Sequence, residues 1–357
     1  MTVLVTGGAG FIGANFVLDW LSIEDRPVVN LDKLTYAGNM QSLSAVLDDK
    51  RHTFVQADIA DSETVSALLN RYRPRSIVHF AAESHVDRSI SGPDEFIQTN
   101  VLGTFRLLEV AREYYESLTG SDRDGFRFIN VSTDEVYGSL GPQEPAFTET
   151  SRYAPNSPYS ASKASADHIA RAYFHTYGLP VITSNCSNNY GPFQFPEKLI
   201  PLMIMNGLRD KPLPIYGDGL NVRDWLFVGD HCAAIRFLLK YGEPGETYNI
   251  GGDSEMTNMD VVEEICCLLD ELIEKPQVGA HRNLISHIED RLGHDRRYAV
   301  NADKIRSKLA WDVSVSFKSG LRKTVQWYLN NEEWIAAVES GAYRNWMNSH
   351  YGRGVMG

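Results

Sequence analysis

The sequence of 357 residues contains only four cysteines, Cys186, Cys232, Cys266 and Cys267. None of them belongs to a CxxC pair, and none has a second zinc-ligand residue at the close spacing that zinc sites use. The pattern therefore argues against a structural zinc site and favours buried, reduced thiols, which are typical of a reducing cytosol. We expect no metal site.

Long basic runs and long apolar runs are also missing. The formal net charge is −12, and without a dense lysine and arginine segment nucleic acid is not an expected partner. No apolar run approaches the roughly 20 residues that a membrane helix needs. No lysine or arginine precedes Arg26, which argues against a signal peptide. We expect a cytoplasmic protein of two domains, or one large α/β unit, that binds no membrane.

A glycine-rich segment follows the first predicted strand. Gly7, Gly10 and Gly13 have the spacing GxxGxxG, between the apolar run 3–5 and a helical run over 14–21. Glycines at this spacing let the backbone turn tightly and approach a pyrophosphate, to which the helix N-terminus can donate N–H groups. The strand before the motif and the helix after it favour a dinucleotide-binding turn over an ordinary glycine-rich turn.

An acid ends the second predicted strand. Asp32 follows the apolar run 28–31 and lies 19 positions after Gly13, about where an acid binds the ribose 2′-hydroxyl of a dinucleotide. Because a carboxylate repels a 2′-phosphate, we predict NAD rather than NADP as the cofactor. The neighbouring Lys33 weakens this preference. A helix or turn cap is the other interpretation of Asp32.

Predicted strands and helices alternate through the first half of the chain. After 28–32 come strands at 52–57, 76–80, 126–131 and 181–186, with a helix at 62–72. This alternation predicts a Rossmann-type α/β fold, a doubly wound parallel sheet that binds ligands at the carboxyl ends of its strands. Residues after the strands should face the cofactor, although plain strand-to-loop roles fit the pattern equally well: Asp58, Ile59 and Phe80 to Ser84.

Five polar residues form the candidate catalytic centre. Thr133, Asp134 and Glu135 follow a predicted strand, and Tyr159 and Lys163 open a predicted helix. The spacing of four places Tyr159 and Lys163 on one helix face, where the ammonium is expected to lower the pKa of the phenol so that it acts as a base. Adjacent acids separate into an acid and a base, since charge on one raises the pKa of the other. A strand-end cap plus a surface acid is the alternative.

The regular alternation breaks down after Cys186. We expect residues 1–186 to form an NAD-binding Rossmann domain, to which residues of about 224–253 return. Residues 187–357 should form mainly a smaller C-terminal α/β substrate-binding domain. Arg223 and Arg291 lie in glycine- or aspartate-rich turns and are candidate anion binders, because arginine suits bidentate phosphate contacts. Lys198 is a further candidate, but taken alone its position favours a solvated surface cation over an anion binder.

Two long predicted helices carry apolar stripes. One spans Asn100 to Ser117, with Val101, Phe105, Leu108 and Ala111 on one face, and the other spans Tyr159 to about Tyr177. Such helices could pair across a two-fold axis as the four-helix interface of a homodimer. Burial within one subunit is the alternative.

These motifs resemble those of a known family over nearly the whole chain. The segment 6–13 together with Tyr159-x-x-x-Lys163 is similar to the extended short-chain dehydrogenase/reductases. Four segments resemble, more narrowly, the dTDP-glucose 4,6-dehydratases: 32–39, 132–138, 188–192 and 196–201. The acid pair discriminates best, because related sugar 4-epimerases tend to carry small or uncharged residues there. Leu292 departs from the family, which usually has proline in Asp-Arg-Pro-Gly-His-Asp.

The resemblance implies conversion of dTDP-glucose to dTDP-4-keto-6-deoxyglucose and water with tightly bound NAD, in the biosynthesis of deoxysugars such as rhamnose. Oxidation at C4 makes the C5 proton acidic, with Tyr159 taking the C4 hydroxyl proton and Thr133 hydrogen-bonding the C4 oxygen. Glu135 then removes the C5 proton, and protonated Asp134 donates to the departing C6 hydroxyl before reduction at C6. Lys163 binds the nicotinamide ribose.

The same match implies two sets of binding residues. The cofactor set comprises Gly7, Gly10, Phe11, Ile12, Gly13, Asp32, Lys33, Leu34, Thr35, Asp58, Ile59, Phe80, Ala81, Ala82, Ser84, Thr99, Tyr159, Lys163 and Asn189. The nucleotide-sugar set comprises Ser84, Thr133, Asn188, Lys198, Leu199, Pro214, Ile215, Tyr216, Arg223, Asn258, Asp290, Arg291, Leu292, Gly293 and His294.

Three other functions remain open from the sequence. A sugar 4-epimerase of the same fold would not need Asp134 and Glu135. A UDP-sugar 4,6-dehydratase would differ in a base pocket that the sequence does not reveal. A catalytically inactive cofactor-binding regulator would tolerate loss of Tyr159 or Lys163, and both residues are present.

Overall fold

The computed structural model describes residues 2–273 and 279–339. Its strands are β1 (Val3–Thr6), β2 (Val28–Asp32), β3 (His52–Gln56), β4 (Ser76–His79), β5 (Arg127–Thr133), β6 (Val181–Cys186), β7 (Asn188–Tyr190), β8 (Leu213–Tyr216), β9 (Val222–Phe227), β10 (Thr247–Ile250), β11 (Glu255–Thr257) and β12 (Ile285–Ile288).

The α-helices are α1 (Phe11–Ile23), α2 (Ser62–Tyr72), α3 (Val86–Ser91), α4 (Asp94–Phe96), α5 (Thr104–Ser117), α6 (Gly120–Asp124), α7 (Pro158–Tyr177), α8 (Leu199–Gly207), α9 (Val228–Tyr241), α10 (Asn258–Leu272), α11 (Asp303–Leu309), α12 (Phe317–Leu329) and α13 (Glu332–Glu339). Three 3₁₀ turns span Met40–Val46, Asp134–Tyr137 and His281–Leu284, and a π-helical segment spans Ile97–Gly103. Among the described residues, none of these helices combines the length and the apolar character that crossing a bilayer requires.

Seven parallel strands form the central sheet, in the order β10-β6-β5-β4-β1-β2-β3. The strands are apolar because helices cover both faces. Val3 and Val5 of β1 pack into the core on the side of α1 and α9, whereas Leu4 packs on the opposite side with residues of α2, α5 and α7. This arrangement confirms the predicted Rossmann-type α/β fold.

The predicted helix from Asn100 to Ser117 is wrong in its first turns. The chain is π-helical over Ile97–Gly103 and becomes α-helical only at Thr104. Leu108 and Ala111 are buried within the subunit, which was the alternative interpretation, whereas Phe105 is 41% exposed. All three residues lie in α5, where a separation of six positions places Phe105 about 120° around the helix from Ala111.

The second half of the chain builds a separate core beside the sheet's carboxyl edge. A three-stranded sheet has the order β11-β9-β7, and β8 pairs with β12 in parallel. Apolar residues of α8, α10, α12 and α13 pack together in this region. Strand β10 instead pairs with β6 and extends the central sheet. Residues 274–278 and 340–357 of the expected substrate domain lie outside the described residues.

Candidate active site

The turn between β1 and α1 is built so that only glycine fits at two positions. Gly7 has φ +74°, and a Cβ there would lie 2.5 Å from the Ala81 backbone nitrogen. A Cβ on Gly13 would lie 2.2 Å from the Gly7 carbonyl oxygen. The backbone thus stays bare at the N-terminal end of α1, and this cradle fits the diphosphate of a dinucleotide.

The acid at the end of β2 is held by backbone N–H groups. Asp32 is buried; its Oδ2 accepts from the Ala9 N–H at 2.9 Å and its Oδ1 from the Leu34 N–H at 2.8 Å. Burial raises its pKa, and these hydrogen bonds act in the opposite direction. Lys33 Nζ pairs with Asp58 Oδ2 at 2.8 Å. Because the charge of Lys33 is paired with Asp58, Lys33 is less able to attract the 2′-phosphate of NADP, and the preference for NAD stands.

A cavity of about 280 Å³ runs along the carboxyl edge from this turn to β5 and α7. All predicted cofactor residues line it except Leu34, and all five predicted catalytic residues line it as well. Leu34 has φ +57° and instead packs its side chain against the core beside α1. Its contribution is the backbone N–H that holds Asp32.

The two adjacent acids lie in different electrostatic surroundings. Asp134 is 1% exposed, and within residues 2–273 and 279–339 no donor is within hydrogen-bond distance of its Oδ2. Burial, followed by the charge of Glu135, raises its pKa well above the usual value. Burial also raises the pKa of Glu135, but Lys198, Arg223 and Arg291 oppose that shift. The surroundings therefore favour a neutral Asp134 beside an ionised Glu135.

Helix α7 brings the tyrosine and the lysine to these acids. It begins with a capping box, in which Ser157 Oγ accepts from the Ser160 N–H at 3.1 Å and Ser160 Oγ accepts from the Ser157 N–H at 3.0 Å. One turn further along, buried Lys163 donates from Nζ to the Val131 carbonyl at 2.8 Å. The lysine is thereby fixed against the end of β5.

The sequence predicts a lowered pKa for Tyr159, but in the structure this pKa is raised. Burial, followed by the charge of Glu135, raises the pKa of Tyr159 well above its usual value, and a hydrogen bond with Thr133 only opposes this. Burial also lowers the pKa of Lys163. The reason is that both groups are enclosed and the ammonium points at a backbone carbonyl, so desolvation outweighs the attraction that helix spacing suggested.

A second cavity, of about 160 Å³, adjoins the first and shares Glu135, Asn188 and Lys198 with it. Of the predicted nucleotide-sugar residues, it also contains Leu199, Pro214, Tyr216, Arg223, Asn258, Arg291, Gly293 and His294, while Ser84 and Thr133 line only the first cavity.

Three predicted nucleotide-sugar residues do not line either cavity. Ile215 alternates away from Pro214 and Tyr216 on β8 and is buried in the core. Leu292 is 78% exposed, so the unusual residue at this position projects from the loop. Asp290 accepts from the Arg291 N–H at 2.8 Å and pairs with His294 Nδ1 at 2.6 Å, and therefore shapes the loop.

Three cations at the cavity walls could bind an anion. Lys198 donates to the Ser84 carbonyl at 2.7 Å, Arg223 donates to the Asp295 carbonyl at 3.0 Å, and Arg291 is paired with Asp87. Burial lowers the pKa of Lys198 and of Arg223. Positive groups confined in this way attract a diphosphate even though the whole chain is acidic.

Sequence reasoning missed two buried acids beside these cations. Glu197 accepts from the Tyr36 hydroxyl at 3.1 Å and from Arg88 Nε at 3.2 Å, and it lines both cavities. Asp87 binds Arg291 across 204 positions of sequence. Glu197 could have been found from the sequence because it precedes the predicted residue Lys198. Asp87 could not, because it looks like an ordinary acid in the first turn of a helix.

Comparison with known proteins agrees with this geometry. The family model for GDP-mannose 4,6 dehydratase matches residues 4–324. The dTDP-glucose 4,6-dehydratase of Xanthomonas campestris pv. campestris (strain B100) is 56% identical over 343 residues, covering 96% of this chain and 97% of the relative. That of Salmonella typhimurium is 54% identical and covers 98% of this chain and 99% of the relative.

Among solved structures, the dTDP-glucose 4,6-dehydratase of Bacillus anthracis in complex with NAD has a TM-score of 0.84 at 48% identity, covering 95% of this chain and 99% of that one. The similarity thus extends over both halves of the chain, including the cavities. The chain belongs to the GDP-mannose 4,6-dehydratase family, and the two relatives described above, which it matches over nearly their full length, are dTDP-glucose 4,6-dehydratases.

Proposed function

We propose that this protein is a hydro-lyase that converts dTDP-glucose to dTDP-4-keto-6-deoxyglucose and water, using bound NAD. The observation that carries the proposal is the contrast between Asp134 and Glu135. Burial raises the pKa of both acids, but the shift is larger for Asp134, whereas Lys198, Arg223 and Arg291 oppose the shift of Glu135. Both acids line the same cavity as Tyr159. An epimerase has no use for such a pair, because it neither removes the C5 proton nor expels the C6 hydroxyl.

Several residues of this chain suit the binding of NAD. Gly7 and Gly13 leave room for the diphosphate, Asp32 suits a ribose hydroxyl, and Lys163 suits the second ribose. When bound, NAD supplies the two-electron oxidation at C4 and its reversal at C6. A positive nicotinamide ring beside Tyr159 would also favour the phenolate, which offsets the effect of burial on the phenol pKa.

The proposed chemistry assigns one proton to each side chain. Tyr159 takes the proton of the C4 hydroxyl, and Thr133 hydrogen-bonds the C4 oxygen. Glu135, whose charged form is favoured by three cationic neighbours, removes the C5 proton once C4 is a ketone. Asp134, kept neutral by burial, gives its proton to the departing C6 hydroxyl.

The second cavity is the proposed site of the nucleotide diphosphate. Arg223, Arg291 and Lys198 suit its phosphates, and Tyr216 with Pro214 offers apolar surface to the base. We accordingly propose that residues 1–186, with about 224–253, hold the cofactor and that residues 187–357 mainly hold the substrate.

The quaternary structure and location are also proposals. Ile97, Leu102 and Phe105 are exposed apolar residues on one helical segment, which supports a homodimer through a four-helix interface. All four cysteines are free and three of them are buried, which supports the reducing cytoplasm as the working compartment.

Product analysis in deuterated water tests the proposed activity. With dTDP-glucose we expect a 4-keto-6-deoxy sugar nucleotide that carries solvent deuterium at C5. Formation of the galactose isomer without deuterium would identify an epimerase, and absence of any product with bound NAD would identify a regulator. Equal kcat/KM for UDP-glucose would contradict the assignment to a thymidine nucleotide.

A further inference from the structure

We propose that Asp87 is a positioning residue for substrate binding, because its carboxylate fixes the Arg291 guanidinium in the orientation that receives the substrate diphosphate. This inference rests on the proposed function, since it takes the second cavity as the nucleotide-diphosphate site. Asp87 itself does not line that cavity. It acts through the side chains that do.

The contact between Asp87 and Arg291 is buried and combines one hydrogen bond with a close approach of the two charges. Asp87 lies in the first turn of α3 and is 5% exposed. Its Oδ1 lies 2.5 Å from Arg291 Nε, and its Oδ2 accepts from Arg291 Nη2 at 3.0 Å. The hydrogen bond and the nearby carboxylate charge together hold the guanidinium on this side of the cavity. A guanidinium carries five N–H groups, so its other edges can still donate to an anion.

Arg291 needs such a partner because its own segment is irregular. It follows β12 in a stretch, 289–302, that contains no helix and no strand in the described structure. A long side chain on an irregular loop loses much rotamer freedom when it binds a ligand. An arginine that is already held in place by a carboxylate has lost that freedom beforehand and binds the diphosphate more tightly.

The same carboxylate also holds a second wall of the cavity. The Tyr216 hydroxyl at the end of β8 donates to Asp87 Oδ2 at 3.3 Å, and the Arg291 guanidinium lies 5.1 Å from the Tyr216 ring centroid. One acid from the cofactor half therefore organises two separate segments of the substrate half, β8 and the loop after β12. The competing explanation is that Asp87 only stabilises the contact between the two halves of the chain and does not affect ligand binding.

Binding of dTDP and of thymidine to the holoenzyme separates these explanations. Because thymidine lacks the diphosphate, Asp87→Asn should weaken dTDP binding by about tenfold or more. It should weaken thymidine binding by a several-fold smaller factor, since the base loses only the support that Asp87 gives to Tyr216. Asp19→Asn is the matched control, since Asp19 Oδ2 pairs with Arg236 Nε at 2.6 Å between α1 and α9, away from the cavities. It should change neither Kd.

A double-mutant cycle tests whether Asp87 acts through Arg291. If it does, Asp87→Asn weakens dTDP binding in the wild-type background but not in an Arg291→Gln background. Equal losses in both backgrounds, or equal losses for dTDP and thymidine, would overturn the positioning role. If Asp87→Asn does not fold, Asp87→Glu carries the test, because it moves the charge by one methylene and should also weaken dTDP binding selectively.

Failure of the positioning role is distinct from failure of the proposed function. A wild-type protein that binds dTDP but does not dehydrate dTDP-glucose contradicts the activity and leaves the binding comparison valid. Wild-type turnover combined with unchanged dTDP affinity in Asp87→Asn contradicts the positioning role alone.

Discussion

Asp134 and Glu135 are neighbours in the chain, but their side chains have different surroundings. Asp134 closes β5 inside the protein, where burial and the adjacent charge both favour its neutral form. Glu135 faces Lys198, Arg223 and Arg291, which favour its charged form. The sequence predicts that the two acids differ, since adjacent carboxyls repel. The sequence does not show which acid is neutral and which is ionised, because the three cations come from distant segments.

Substitution of Asp134 should separate stability from activity. The folded-state pKa of Asp134 is raised above its unfolded value, so its contribution to folding is full at low pH and is lost as pH rises. Asparagine does not titrate. The stability of Asp134→Asn relative to wild type should therefore rise between pH 5 and pH 8 by at most about 1.4 kcal/mol per unit, while kcat falls about 10²–10⁴-fold.

Urea unfolding at several pH values, with parallel rate measurements, checks this prediction. A stability difference that does not change with pH would mean that Asp134 is ionised in the folded protein throughout the range. That result would remove it as the proton donor.

At the scale of elements, α7 connects stability to catalysis. Its capping box fixes the start of the helix one residue before Tyr159 enters the cavity. The sequence pattern predicted this helix within a residue because Pro158 suits a helix start. Helix α2 and strand β6 were predicted with their observed bounds, Ser62–Tyr72 and Val181–Cys186. These segments could be predicted because strands and helices alternate regularly in this part of the chain and the ends of the segments are marked in the sequence.

Loss of the α7 cap should have a measurable cost. Ser157→Ala removes the acceptor for the Ser160 N–H and should lower the free energy of unfolding by about 1 kcal/mol. Ser165→Ala is the control on the same helix, because exposed Ser165 Oγ donates only to the Ala161 carbonyl, and it should change stability by less than about 0.5 kcal/mol. Equal effects of the two substitutions would show that the cap does not stabilise α7.

Other elements could not be read from the sequence. The π turn at Ile97–Gly103 leaves no pattern that distinguishes it from α-helix, so the α-helix was predicted to begin at Asn100 and not at Thr104. The three-stranded sheet joins β7, β9 and β11, which are far apart in sequence and short. Asp87 was missed for the same reason, since its partner lies 204 positions away. Contacts of this range depend on tertiary packing and leave no local periodicity.

At the scale of the whole molecule, the exposed apolar residues predict how copies associate. Phe105→Asp places a charge in the proposed dimer interface, where burying it without a partner is costly, and should shift the protein from dimer to monomer. Ile23→Asp is the control, because Ile23 is also an exposed apolar residue but lies at the end of α1. Sedimentation velocity distinguishes the species. A dimer that persists in Phe105→Asp would place the interface elsewhere.

Removal of the C5 proton of the sugar by Glu135 is the central step of the proposed reaction. The most direct test compares Glu135→Gln with wild type in deuterated water, using dTDP-glucose and following deuterium at C5. We expect dTDP to bind Glu135→Gln within about twofold of wild type, with kcat and the rate at which deuterium enters C5 both lowered about 10²–10⁴-fold. Wild-type turnover with full deuterium at C5 in Glu135→Gln would contradict the account.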